Sequence, residues 1–231
     1  MFYVFIPARG GSKSIKDKNL QKINGIPLVE RSIKLALKKF ECNQVVLSSD
    51  SNKILNIGEK YKINIHLRSS KTSNDTATTE SAINEWLENK ENKSEWIILL
   101  EPTSPFINIS DIDRLIELCK IKNEVNCIYS VTEIRHTDHY LNQRVINNGK
   151  VQFLFDEERN KSKLKQKKIK TFKFGNISAI RTTNIIKSQK FFSKNSNIFD
   201  IPFVRSINID SEEELFIARS LARYDRSLYD I

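Results

Sequence analysis

Cysteine, glycine and long apolar runs are all scarce in this chain of 231 residues. Its three cysteines, Cys42, Cys119 and Cys127, are odd in number and form no metal-like cluster, which argues against a disulfide framework or a zinc site. No apolar run approaches the ~20 residues that a membrane-spanning helix needs, and we find no signal peptide before the first predicted strand. These absences predict a cytoplasmic protein without a membrane segment.

Positive charge is in excess, because 38 Lys and Arg residues stand against 28 Asp and Glu and give a net charge of +10. Three explanations are open: nucleic-acid binding, a polyanionic small substrate, and compositional drift in a chain rich in lysine, asparagine and isoleucine. We attribute much of the excess to drift and part of it to an anionic ligand. The apolar content of 39% is enough for the core of one large domain.

Apolar runs alternate with amphipathic segments over the first 130 residues. This pattern predicts strands at 2–6, 44–49, 63–67, 96–100 and 126–132, and helices at 28–40, 52–61, 77–89 and 111–121. Asp50 and Ser51 are expected to cap the second helix. The alternation is typical of an α/β protein with a doubly wound, mostly parallel sheet, whose ligands bind beyond the carboxyl ends of the strands.

The pattern changes after residue 135. Asn147-Asn148-Gly149 is a turn signal, and it predicts a β-hairpin between 144–146 and 151–155. A very basic stretch follows at 161–173. Later segments are predicted as a return to the main sheet at 178–181, a helix at 183–192, an extended segment at 203–209 and a last helix that opens at Ser211. We therefore expect a small antiparallel excursion from the main sheet.

The first strand runs into a loop that is rich in glycine and in cations. Its residues include Arg9, Gly10, Gly11, Ser12, Lys13, Lys16 and Lys18. Glycines let the backbone approach a ligand closely, backbone N–H groups can face an anion, and the cations supply the opposing charge. Neither standard phosphate fingerprint is present. From the residues alone, the loop is either a different phosphate-binding device or a solvated turn.

The sequence motif P-A-R-G-G-S-K-x-I-x-x-K-N at 7–19 closely resembles the signature of the acylneuraminate cytidylyltransferases, or CMP-sialic acid synthetases. That family includes enzymes for legionaminic and pseudaminic acids. The resemblance is strong to about residue 130, weak at 135–205, and returns at 206–219. It implies a Rossmann-like nucleotidyltransferase fold in a single domain, 1–231, with a dimerisation and sugar-binding insertion at about 135–180.

The resemblance implies that the first loop binds the triphosphate of CTP. Arg9 and Lys18 match the catalytic cations, which stabilise the charge of the transition state. Asn19 matches an asparagine that helps to read the nucleotide. The nucleotide-binding residues predicted in this loop are Ala8, Arg9, Gly10, Gly11, Ser12, Lys18 and Asn19.

A second patch at 68–79 resembles the part of the family that contacts cytosine. Arg68, Ala77 and Thr79 stand at the matching positions. Cytosine offers an N3/O2 acceptor edge and an amino donor, so an arginine, a hydroxyl and backbone groups suffice to read it. Asp75 is expected to act as a helix cap or to orient the loop.

The chain departs from the family at two positions that bear on the metal site. The family's D-x-D, which holds Mg²⁺, stands here as Asn208-Ile209-Asp210, so only Asp210 is acidic. Glu101 stands where the family usually has a glutamine near the nucleotide and the acyl sugar. Either Mg²⁺ binds more loosely here, or Glu101 supplies the missing charge.

The resemblance places the sugar acid against Glu101, Lys165, Gln166, Lys173 and Asn176. Lysines in place of the family's arginines keep the charge but lose a bidentate grip on a carboxylate. The family builds this region partly across a dimer interface, so we expect a homodimer. His136 and His139 are interpreted as surface or substrate-loop residues rather than metal ligands.

The resemblance predicts a cytidylyltransferase that joins CMP from CTP to the anomeric hydroxyl of a nine-carbon sugar acid and releases pyrophosphate, with Mg²⁺ as cofactor. One alternative is a nucleotidyltransferase of the same fold that uses another nucleotide or sugar. The other is a nucleic-acid-binding module built on the basic stretch 161–173. That module is disfavoured because the chain has no aromatic-interleaved stacking platform and no groove-reading motif.

Overall fold

The structure is a computed structural model, and it describes residues 1–88, 90, 95–122, 124–162 and 168–229. Its strands are β1 (Phe2–Pro7), β2 (Lys22–Ile23), β3 (Ile26–Pro27), β4 (Val45–Ser49), β5 (Asn64–Leu67), β6 (Trp96–Leu100), β7 (Cys127–Glu133), β8 (Arg144–Asn147), β9 (Lys150–Phe153), β10 (Phe172–Arg181) and β11 (Ser196–Asp200). Its helices are α1 (Leu28–Leu37), α2 (Asn52–Lys60), α3 (Ser70–Ser73), α4 (Thr79–Glu88), α5 (Ile109–Ile121), α6 (Asp156–Lys161), α7 (Thr182–Ser188) and α8 (Glu212–Tyr224). Across these ranges, every helix is too short or too polar to cross a membrane.

Seven of the described strands form the central sheet, in the order β11-β7-β10-β6-β1-β4-β5. β1 pairs in parallel with β4 and β6, β4 pairs in parallel with β5, and β7 pairs in parallel with β11. Within this sheet β10 is reversed, because it runs antiparallel to both of its neighbours, β6 and β7. The predicted α/β fold with a mostly parallel sheet is confirmed.

Apolar residues cover both faces of β1, the central strand that leads into the candidate site. Val4 and Ile6 pack into the core on one face, and Tyr3 and Phe5 pack into the core on the other. Such two-sided burial explains why the strand reads as a continuous apolar run. Each fully buried side chain contributes about 1.5–3 kcal/mol, so the strand end that carries the first loop is firmly fixed.

Several elements differ from the predictions. The sequence pattern does not predict β11, because this short edge strand is polar and buries only Phe199 deeply. β10 starts at Phe172 rather than at 178, and the predicted extended segment 203–209 opens with a 3₁₀ turn at Phe203–Ser206. The predicted helix at 183–192 corresponds to the shorter α7.

The excursion leaves the sheet after β7 and returns at β10. Its two ends are joined, because Ile134 N donates to Thr171 O at 2.9 Å. β8 and β9 form the predicted hairpin, in which Ile146 is paired with Val151. Asn148 and Gly149 both have positive φ, 50° and 74°, as a two-residue hairpin turn of this type requires.

Helix α8 brings the end of the chain back to the first loop. Ser211 and Glu214 form a capping box at its N-terminus, a device worth about 1 kcal/mol. Its buried residues Leu215 and Ala218 pack in a cluster with Ile15 of the first loop. This packing places the residues just before α8 beside the carboxyl end of β1.

Candidate active site

The first loop leaves the sheet at the carboxyl end of β1 and is fixed by the end of β4. Ala8 N donates to Ser48 O at 2.9 Å, and Gly10 N donates to Asp50 Oδ1 at 2.7 Å. A Cβ on Gly10 would lie 2.8 Å from Ser51 Cβ, so this contact requires glycine. Asp50, which was expected to help cap α2, anchors the loop through the Gly10 N–H. Sequence reasoning missed this role.

The middle of the same loop is open. A Cβ added to Gly11 would meet no atom of the described residues within 4 Å, and Gly11 is exposed. Ser12 N donates back to Gly10 O at 3.1 Å, which shapes the turn. The buried Asn19 donates from Nδ2 to Arg9 O at 2.9 Å. Asn19 thus braces the loop from behind, while the space over Gly11 can admit a ligand.

The cations of the loop are paired with carboxylates from distant parts of the chain. Lys18 Nζ lies 2.9 Å from Asp210 Oδ1. Lys13 Nζ lies 2.6 Å from Asp75 Oδ2, and Arg9 Nη1 lies 3.9 Å from Asp75 Oδ1. The hydrogen bond and charge of Lys13 lower the pKa of Asp75. Asp75 therefore bridges to the first loop.

The predicted cytosine patch lies on the same edge of the sheet. Arg68 is buried and donates from Nε to Ser48 Oγ at 2.8 Å, while its buried Nη2 has no hydrogen-bond partner in the part of the chain that the structure describes. Burial lowers the pKa of Arg68, and the nearby charge of Arg9 adds to this effect. The half-buried Ala77 and Thr79 lie at the start of α4. The structure thus brings Arg68 near the first loop.

A cavity of about 330 Å³ opens beside Glu101, at the carboxyl end of β6. Its lining includes Thr79, Glu80, Glu101, Tyr129, Phe174, Asn176 and Phe192. The Tyr129 ring stacks on Phe192 with centroids 6.1 Å apart. Asn176 has a φ of 76°, and its buried Nδ2 has no hydrogen-bond partner within the described ranges. Sequence reasoning missed the aromatic residues, since each of them also reads as ordinary core.

Glu101 is half-buried in this cavity. Burial raises the pKa of Glu101, the charge of Asp210 raises it further, and the charge of Lys18 lowers it in part. Glu101, Asp210 and Lys18 are therefore electrostatic neighbours. This neighbourhood joins the cavity to the first loop.

Asn208 and Asp210 lie side by side before α8. Asn208 Nδ2 donates to Asp210 Oδ2 at 2.5 Å, and Asn208 Oδ1 is buried with no hydrogen-bond partner among the residues described. An unpartnered amide oxygen beside an exposed carboxylate provides two oxygen donors of the kind that Mg²⁺ prefers. In the part of the chain that the structure describes, no three His, Cys, Asp or Glu side chains form a metal-binding group.

The predicted sugar-binding residues are not all brought together. Lys173 Nζ donates to Ser206 O at 3.1 Å and faces a second cavity of about 450 Å³, which Arg135 and Asn208 also line. Glu101 and Asn176 line the first cavity. Lys165 and Gln166 lie outside the described residues.

His139 was expected at the surface or in a substrate loop, but it is buried, with 5% of its area exposed. Its Nδ1 accepts from Leu141 N at 3.2 Å, so the neutral ring carries its proton on Nε2, which donates to Ile169 O at 2.9 Å. Both ring nitrogens are used in holding the excursion, which gives His139 a structural role.

A mostly parallel sheet with a glycine-containing loop beyond its central strand is an arrangement in which α/β proteins bind nucleotides. The chain belongs to the cytidylyltransferase family, whose profile matches residues 3–223. Pseudaminic acid cytidylyltransferase of Campylobacter jejuni is 30% identical over 225 residues, which are 94% of this chain and 94% of that protein. CMP-N,N'-diacetyllegionaminic acid synthase of Legionella pneumophila is 32% identical over 120 residues, 50% of this chain and 52% of that protein. The predicted resemblance is confirmed.

The fold is shared with more distant solved structures. A CMP:2-keto-3-deoxy-manno-octonic acid synthetase in complex with CTP superposes with a TM-score of 0.70 at 17% identity, over 97% of this chain and 99% of that one.

Proposed function

We propose that this cytidylyltransferase transfers CMP from CTP to the anomeric hydroxyl of a nonulosonic acid, giving a CMP-sugar and pyrophosphate. The observation that carries the proposal is the meeting of Lys18 and Asp210, 192 residues apart in sequence, at the mouth of the first loop. These two residues stand where the family signature has its triphosphate lysine and its metal aspartate. The similarity to the pseudaminic acid enzyme over 94% of the chain supports a nonulosonic acceptor.

The reaction is a substitution at the α-phosphorus of CTP. The anomeric oxygen forms a bond to the α-phosphorus and loses its hydroxyl proton. The bond between the α-phosphorus and the oxygen that bridges to the β-phosphorus breaks, so pyrophosphate leaves. Negative charge grows on the departing pyrophosphate, so fixed cations beside it stabilise the transition state. Arg9 and Lys18 take this catalytic role. The Lys18 side chain is only 16% exposed and is fixed against Asp210, and Arg9 lies at the start of the first loop, near Asp75.

The open side of the first loop provides room for the phosphates. A ligand can approach Gly11 and Ser12 closely, because nothing lies within 4 Å of a Cβ on Gly11. The N–H of Gly10 is engaged by Asp50, so Gly10 supports the loop by its shape. Arg68, Ala77 and Thr79 then receive the cytosine.

Mg²⁺ would be held by Asp210 and by the unpartnered oxygen of Asn208. Mg²⁺ commonly takes one or two protein oxygens and completes its shell with water and substrate phosphate, so this pair fits it. The charge of Asp210 contributes to the raised pKa of Glu101, so the two carboxyl groups are near each other and Glu101 can add negative charge to the site when ionised. Bound there, the metal would neutralise phosphate charge and help to align the leaving group.

The cavity beside Glu101 is our candidate for the sugar acid. Its volume of about 330 Å³ lies in the range of small-molecule sites, and it combines aromatic walls with a few polar groups. Glu80 and Glu101 would repel the acceptor's carboxylate, so we expect them to accept hydrogen bonds from hydroxyl groups. Lys165 remains a proposed cation for that carboxylate, and Lys173, which faces the second cavity, would have to contact the carboxylate from that side.

We further propose that the chain is a single domain that forms a homodimer through its insertion at about 135–180. The hairpin exposes large apolar side chains, with Ile146 at 73% and Val151 at 64% of their area in solvent. Leu154 and Phe174 also expose 50% and 57% of their area. Burying such side chains against a second copy would remove them from water.

The test is pyrophosphate release with each of the four nucleoside triphosphates and a panel of nonulosonic acids, including pseudaminic, legionaminic and N-acetylneuraminic acids. We expect release with CTP and at least one of these acids, and thermal stabilisation by CTP well above that by ATP, GTP or UTP. Equal stabilisation by all four nucleotides would overturn the nucleotide assignment. Activity only with an acceptor of another class would overturn the nonulosonic assignment.

A further inference from the structure

A line of two hydrogen bonds and one longer polar contact lies behind Arg68 and takes no part in the reaction described above. Arg68 Nε donates to Ser48 Oγ at 2.8 Å, Ser48 Oγ lies 3.0 Å from His66 Nδ1, and His66 Nε2 lies 3.4 Å from Glu85 Oε2. Ser48 is fully buried, and His66 and Arg68 expose 8% and 9% of their area. The line therefore joins β4, β5 and α4 beneath the candidate nucleotide site.

The direction of each hydrogen bond follows from the chemistry of the groups. The Glu85 carboxylate can only accept, so His66 carries its ring proton on Nε2. Nδ1 of the neutral ring then accepts the Ser48 hydroxyl proton, which leaves the Ser48 oxygen to accept from Arg68. Burial lowers the pKa of His66, although the charge of Glu85 opposes this effect. The ring is thus neutral near pH 7.

The acidic end of the line is itself fixed. Ser69 N lies 3.3 Å from both carboxylate oxygens of Glu85, and Thr72 Oγ1 donates to Oε2. Burial alone would raise the pKa of Glu85, but the hydrogen bonds from Ser69 and Thr72 outweigh it and lower the pKa. Glu85 is therefore an ionised and immobilised anchor.

A serine, a histidine and an acid in a row are also the groups of a hydrolase triad. Here the geometry does not fit that role, because Ser48 is fully buried and its oxygen accepts from Arg68. No substrate can reach it. The end of the line with an unused donor is Arg68, whose buried Nη2 has no hydrogen-bond partner among the described residues.

We propose that Ser48, His66 and Glu85 are positioning residues, which orient the Arg68 guanidinium so that its unpartnered Nη2 donates to the nucleobase of the bound nucleotide. This rests on the proposed function, in which Arg68 contacts cytosine. Cytosine accepts at N3 and O2, whereas uracil carries a proton on N3, so a fixed guanidinium favours CTP over UTP. The line therefore sets base selectivity, and a loosened Arg68 would lose it.

The test is a double-mutant cycle on CTP and UTP binding by titration calorimetry, which needs no sugar acceptor. Ser48→Ala should weaken CTP binding about tenfold and reduce the preference for CTP over UTP by a similar factor. In an Arg68→Ala background the same change should alter CTP binding less than about twofold. Ser49→Ala is the matched control. It removes a buried hydroxyl from the same strand, one that accepts from Ser51 N.

A second pair of variants guards against a folding defect in Ser48→Ala. His66→Asn keeps an acceptor where Nδ1 stands, whereas His66→Gln does not, so the asparagine variant should retain more of the CTP preference. Equal losses in Ser48→Ala and Ser49→Ala, or an additive cycle, would overturn this proposal alone. A wild-type protein that does not bind CTP would overturn the proposed function and this proposal together.

Discussion

Lys18 Nζ lies 2.9 Å from Asp210 Oδ1, so the cation proposed for the triphosphate and the carboxylate proposed for Mg²⁺ are partners of each other. Their side chains are 16% and 65% exposed, which leaves the carboxylate open to solvent and the lysine largely enclosed. A cation that takes Asp210 would release Lys18 toward the phosphates. The pair thus couples the two halves of the site.

Lys18→Ala should lower kcat/KM for CTP by ~10²-fold or more, about the 3 kcal/mol typical of losing one preorganised charge contact. Thermal unfolding should change little, because Lys18 contributes a charge contact rather than core packing. Steady-state pyrophosphate release measures the first quantity and calorimetry the second.

Lys16→Ala is the control for this prediction, since Lys16 is exposed on the same loop and its backbone carbonyl, which the substitution keeps, accepts from Gln21 Nε2. It should cost less than about twofold. Equal losses in both variants would mean that the loop acts only as a diffuse positive field.

Asp210→Asn should raise the Mg²⁺ concentration for half-maximal activity by about tenfold, because a neutral amide is a weaker ligand than a carboxylate. Titration of activity with MgCl₂ measures this. Asp113→Asn, at an exposed ion pair with Lys39, is the matched control and should not shift the titration. A matching shift in Glu101→Gln would show that Glu101 supplies the missing charge, whereas an unchanged titration in Asp210→Asn would place the metal elsewhere.

Glu101→Gln should stabilise the protein at pH 7 and leave its stability unchanged below pH 4. Burial, followed by the charge of Asp210, raises the pKa of Glu101 in the folded state. The folded protein then binds more protons than the unfolded chain, and stability falls as pH rises from about 4.3 through the raised pKa. Thermal unfolding of both proteins at several pH values measures the difference. A variant less stable than wild type at pH 7 would contradict it.

Ile146→Asp should convert the proposed homodimer into a monomer, because it places a charge in the middle of the exposed apolar hairpin. Light scattering at micromolar concentration gives the mass. Phe216→Asp, on the 71% exposed side chain in α8, is the control and should remain dimeric. A wild-type protein that is fully active as a monomer would refute the dimer.

Local patterns were sufficient to predict the first strand, its loop and the alternation that builds the sheet. Distant pairings were not, because the Lys18–Asp210 contact depends on how α8 packs against the first loop. Lys173 and Asn176 are three residues apart in β10, and residues at that spacing in a regular strand lie on opposite faces, but the sequence pattern did not predict that the strand reaches back to Phe172. The pairing of β10 with β7 shifts register between Phe174 and Ser178, and this bulge changes which way successive side chains point. Motif spacing carries no sign of it.

The reversal of β10 has an evolutionary consequence. Because the strand begins where its neighbours end, the excursion starts and finishes at one edge of the sheet, and the hydrogen bond from Ile134 to Thr171 closes it at its base. Lengthening a loop whose ends are already joined costs only a logarithmic entropy term. Insertions or deletions there leave the sheet register intact. A lineage can therefore exchange the excursion while it keeps the sheet and the first loop unchanged.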